Sequence, residues 1–101
     1  MTDQEIRIAI ATERGWTLEE TNAYDGKCWH LNGIKSEVSP PDYHLDLNAM
    51  HSAVMSQSPQ FRLAFENGMQ TAARDLGKLV CEFDCGIHAR VFCRVKGIWK
   101  D

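Results

Sequence analysis

With 101 residues, the chain has room for one domain (residues 1–101) and one core. Hydrophobic residues make up 44% and charged residues 25%, the balance of a globular protein rather than a disordered one. A formal net charge of −3 excludes a binder of nucleic acid that works by neutralising phosphates, since such a domain carries a basic face. It is also too mild for a protein mimic of DNA.

No stretch approaches the roughly 20 apolar residues of a membrane span. The opening MTDQEIRIAI lacks the basic-then-apolar order of a secretory signal. The expectation is a cytoplasmic protein whose four cysteines, Cys28, Cys81, Cys85 and Cys93, remain thiols.

The first predicted element is a helix over residues 3–14. Thr2 and Glu5 have the spacing of a capping box, and Ile6, Ala9 and Ile10 share one face. Gly15 stands where a left-handed cap belongs, with Trp16 placed to fold back onto Ile10 and Ala11. Next, Trp16 and Leu18 alternate with Thr17 and Glu19, and the dipeptides Asp25-Gly26 and Asn32-Gly33 accept the positive φ of tight hairpin turns. These signals predict a three-stranded antiparallel meander over residues 16–38, apolar largely on one side and covered there by helices.

Ser39-Pro40-Pro41 ends the meander, because consecutive prolines remove two backbone donors. Asp46 caps a predicted helix over 47–56, with Leu45 and Met50 as a hydrophobic staple and Leu47, Met50 and Val54 as its buried stripe. Ser58-Pro59 starts a third helix. On it Phe61, Ala64, Phe65, Gly68, Met69, Ala72 and Leu76 follow the 3.6-residue period. Glycine within that stripe costs up to about 1 kcal/mol against alanine, which predicts a close packing neighbour at Gly68. Gly77 is the expected terminus. Leu79, Cys81 and Phe83 then alternate as a short strand would. From Asp84 a helix could run to Lys96, burying Ile87, Val91, Phe92 and Val95 and stopping at Gly97, although residues 89–95 also have strand-like content.

The run PDYHLDLNAMHSAV, Pro41 to Val54, resembles the central signature of the phage α-β-α sandwich family, small proteins of bacteriophages and prophages. EIRIAIATERGWTLEE resembles that family's opening helix and Gly-Trp, and RVFCRVKGIWKD its closing helix and Gly-x-Trp tail. Between Gln57 and Phe83 there is no correspondence. The resemblance implies an α+β fold in which a small antiparallel sheet of about three strands packs between helices as an α-β-α sandwich. It further implies a phage or prophage source and no established enzymatic activity, and it favours helix for residues 84–96.

The leading candidate site is Tyr43, Asp46, Asn48 and His51, because a helix N-terminus attracts anions and Asp46 and His51 could approach each other there, giving a general base or an anion site. A structural reading explains more: Asp46 caps, Asn48 pins the preceding loop, and His51 is a partly buried polar residue with a backbone partner. Cys81, Cys85, His88 and Cys93 are soft metal ligands close together, but they lack the paired knuckle spacing of structural zinc sites. Cys28 and His30 point the same way from a strand, and two ligands do not make a site. No local signature surrounds any cysteine as a nucleophile, and there is no glycine-rich phosphate loop or serine elbow. Trp29, Tyr24 and Trp99 would suit a protein interface if exposed. No metal or cofactor is therefore expected.

Together these features predict a non-enzymatic phage accessory protein that binds a host or phage protein, with no nucleic-acid or membrane partner. A homodimer through an uncovered sheet edge or helix face is compatible with so short a chain. The alternative is a counter-defence protein that inhibits a bacterial immune complex or sequesters a signalling nucleotide. A zinc-dependent or hydrolytic enzyme is the third and disfavoured reading.

Overall fold

Each helix begins where a side chain can satisfy backbone N–H groups that have no partner in the first turn. The computed structural model describes residues 1–20 and 27–100. In it α1 (Asp3–Glu13) opens on Thr2, whose hydroxyl accepts from the Glu5 N–H at 3.2 Å while the Glu5 carboxylate accepts from the Thr2 N–H at 3.0 Å. That is the predicted capping box. Asp46 caps α2 (Leu47–Met55), Ser58 caps α3 (Pro59–Leu76) and Asp84 caps α4 (Cys85–Lys96). Helix therefore prevails over strand for residues 85–96, and Gly77 and Gly97 close α3 and α4.

Three strands form an antiparallel sheet in the order β1 (Trp16–Glu20), β2 (Lys27–Leu31), β3 (Ile34–Lys35). Asn32 and Gly33 both have positive φ, 53° and 86°, which closes the β2–β3 hairpin as their sequence predicts. The Asp25-Gly26 turn and Tyr24 lie outside the described residues. Gly15, at φ 91°, joins α1 to β1. A Cβ there would run into the Asn32 carboxamide, so this junction requires glycine twice over.

Among the described residues the fold is thus α+β, with four α-helices and one three-stranded antiparallel sheet. The helices gather around α4, which packs on α1, α2 and α3. Its Phe92, Ala89 and Cys93 are fully buried, and Phe92 meets Phe61 of α3 with ring centroids 5.0 Å apart. Burying Phe92 contributes about 2–3 kcal/mol. A smaller cluster of Met69, Phe83 and Val91 seals the outer α3–α4 contact.

The sheet joins the helices through α1, which lies against β1. Trp16 is buried with Ile10 and Ala11 in the main core and holds Trp29 edge-on, centroids 6.4 Å apart at 84°. Arg7 of α1 ties down the proline segment: its guanidinium donates to the Pro40 carbonyl at 2.6 Å and 3.2 Å and pairs with Asp42 at 3.2 Å.

Three expectations are corrected. Residues 79–83 do not form a strand; Val80–Glu82 make a turn of 3₁₀-helix, because the Glu82 carboxylate accepts from the Leu79 N–H at 2.7 Å and closes the backbone locally. Leu45 is 73% exposed while Met50 is buried, so the hydrophobic staple does not form. The stripe of α2 turns by one position, burying Met50 and Ala53 and exposing Leu47, since α2 faces α4 rather than the sheet.

Candidate functional site

The structure divides the four predicted site residues. Tyr43 is buried in the main core, and its carbonyl accepts the Cys85 Sγ–H at 2.9 Å. Asp46 is engaged as the α2 cap, its Oδ1 accepting from the Ala49 N–H at 3.1 Å. Its own N–H and that of Leu45 both donate to the Asp42 carbonyl at 2.8 Å, so the loop entering α2 is held by backbone hydrogen bonds, and not by Asn48.

Asn48 and His51 are exposed, His51 against the expectation of partial burial, and both line a shallow cleft of 310 Å³. Its apolar walls include Met50, Val54 and Phe65, and His88 of α4 enters from the far side. By sequence spacing alone His88 belongs with Cys81 and Cys85 instead. The spacing of Asn48 and His51 is visible in the sequence, but their approach to His88 depends on the α2–α4 packing.

His88 stands edge-on to Phe65 and Phe83, at centroid distances of 6.5 and 6.4 Å. Burial beside these rings holds its imidazole below the usual range, against the opposing pull of Asp84. His88 is thus a neutral imidazole at neutral pH, suited to a hydrogen bond or a stacking contact rather than to holding an anion.

The cysteine set does not converge. Cys81 is exposed on the 3₁₀ turn, Cys85 bonds to Tyr43, and Cys93 is wholly inside the core. Among the described residues no three His, Cys, Asp or Glu side chains come together as metal ligands. Burial raises the thiol pKa of Cys85, with Asp46 and Asp84 adding to the effect, and pushes Cys93 up to about 11 with help from Glu13.

The largest uncovered apolar feature of the sheet comes from its register. Trp16 pairs with Leu31, Leu18 with Trp29, and Leu31 with Ile34. Directly opposed residues share a face, so all five apolar side chains lie on one side, as their alternation predicts. Helical cover reaches Trp16 but fades outward: Leu18 is 47% exposed and Ile34 74%. The expectation of full cover fails because the helices spend their apolar stripes on one another around α4. Trp99, the other tryptophan proposed for an interface, lies beneath the Arg94 guanidinium, 4.3 Å from ring centroid to guanidinium carbon, and packs against the core.

The chain matches no family model, no curated protein and no solved structure. No helix of the described residues is long and apolar enough to cross a membrane.

Proposed function

We propose that this chain is a non-enzymatic accessory protein of a bacteriophage or prophage, acting in the bacterial cytoplasm by binding a host or phage protein through the apolar face of its sheet. The observation that carries this reading is the apolar patch of Leu18, Trp29, Leu31 and Ile34 on one face of the three strands, with Leu18 and Ile34 exposed. An indole held edge-on by a second indole is a large anchor with little rotamer freedom left to lose on binding. The phage setting rests on the resemblance of the Pro41–Val54 run.

The test compares the protein with a Leu18→Glu, Ile34→Lys double variant in affinity capture from bacterial lysate and in sedimentation over a range of concentrations. Both substitutions are at exposed positions, so circular dichroism should be unchanged. A partner retained by the native chain and lost by the variant supports the reading, and a concentration-dependent dimer lost by the variant identifies a second copy as the occupant. Equal capture by both chains removes the sheet face from the reading. If the captured partner belongs to a bacterial immune complex, a plaque assay on strains carrying that complex separates counter-defence from a morphogenetic role.

A further inference from the structure

The opposite face of β2 carries a pair of groups that the docking reading does not use. Cys28 and His30 are two residues apart on one strand and therefore on one face. Cys28 Sγ and His30 Nε2 are 3.2 Å apart, within reach of direct proton transfer. Both side chains are half-buried, open enough for a small molecule yet partly screened. Thr17 and Lys35 are registered opposite His30 on the two neighbouring strands, and Glu19 opposite Cys28.

The other three thiols are disposed differently. Cys93 is inaccessible in the core, and its ionisation is disfavoured by burial. The Cys85 thiol is engaged with the Tyr43 carbonyl. Cys81 is exposed but has no hydrogen-bonding partner among the described residues. Only Cys28 combines access with an imidazole at its sulfur, the setting in which cysteine becomes a nucleophile.

We propose that Cys28, with His30 as its proton acceptor, is a modification site for small electrophiles, and that its natural reagent is a peroxide. In the reaction the Cys28 Sγ–H proton passes to His30 Nε2 while a sulfur electron pair attacks one oxygen of hydrogen peroxide. The S–O bond forms and the O–O bond breaks. The departing hydroxide takes the proton from His30 and leaves as water, so Cys28 becomes a sulfenic acid and the peroxide is reduced. Acceptance at Nε2 requires the imidazole tautomer with its proton on Nδ1. The site lies on the face of β2 away from Trp29, so it stands or falls independently of partner docking.

The experiment uses the reduced full chain, with Cys81 as the reference inside the same molecules. Limiting hydrogen peroxide, with dimedone to trap sulfenic acid, and separately iodoacetamide, are applied across pH 5.5–9 on the order of the thiol and imidazole ranges. Peptide mass spectrometry reads each cysteine. Cys28 is expected to react about tenfold faster than Cys81 near neutral pH, and His30→Gln to lower the Cys28 rate by about tenfold while leaving Cys81 unchanged. Equal rates at Cys28 and Cys81 in the unmodified chain overturn the proposal without recourse to any variant. So does a Cys28 rate that His30→Gln leaves untouched.

Discussion

Gly68 offers the sharpest test of how the two longest helices meet. It lies within α3, where glycine costs up to about 1 kcal/mol relative to alanine, so propensity alone predicts that Gly68→Ala stabilises the protein. The packing predicts the reverse. A Cβ at Gly68 would stand 2.9 Å from Val95 Cγ2 and 3.1 Å from Val91 Cγ1 of α4, well inside ordinary contact. Neither valine yields easily, because a β-branched side chain in a helix has one strongly preferred rotamer. Relief must come from moving α4, whose inner face carries the buried Ala89, Phe92 and Cys93. Overpacking of this kind costs about 1–3 kcal/mol, which outweighs the propensity gain and leaves a net loss near 1 kcal/mol. For a domain of about this size that lowers the melting temperature by roughly 4–8 °C. Urea denaturation followed by tryptophan fluorescence would measure it. In a Val95→Ala background the nearest methyl is gone, and the same substitution should cost at least ~0.5 kcal/mol less, a coupling between contacting residues. A Gly68→Ala protein that is more stable by the full propensity gain, or one whose cost is unaltered by Val95→Ala, would refute the reasoning.

Two further outcomes follow from the core and from the proline segment. The Cys93 thiol ionises near its ordinary 9.0 when unfolded but only at about 11 in the native state, so between these values the unfolded chain holds fewer protons. Stability must therefore fall as pH rises through that window, by up to about 1.4 kcal/mol per pH unit. The difference between the native chain and Cys93→Ala in urea midpoint against pH isolates it, and parallel curves would contradict it. Arg7→Ala removes the guanidinium that holds the Pro40 carbonyl and Asp42 and should cost about 2 kcal/mol; Arg7→Lys should recover only part, since an ammonium cannot reproduce the planar fork. Thermal melts of the three proteins settle this.

Local structure was legible in the sequence wherever a few neighbouring residues decide it. The Thr2–Glu5 box, the caps at Asp46 and Ser58, and the Asn32-Gly33 turn all concern groups within three or four positions, whose partners are set by covalent proximity. The one-sided apolar alternation of the sheet was readable for the same reason, since side chains in a strand repeat every two residues. Local rules failed at two places. At Leu79–Phe83 a side-chain bond from Glu82 overrode an alternating pattern, and at Leu45 an apolar residue at the staple position found nothing to pack against.

The sequence by itself therefore determined the capped helices α1 to α3, the tight Asn32-Gly33 turn and which residues are apolar on each face of the sheet. Only the tertiary structure decided which of those faces meet. It chose α4 as the helix the others surround, took Tyr43 into the core, drew His88 toward Asn48 and His51, and left Leu18 and Ile34 uncovered. Burial is a property of pairs of surfaces brought together from distant parts of the chain, and a hydrophobic stripe names the side to be hidden without naming what will hide it.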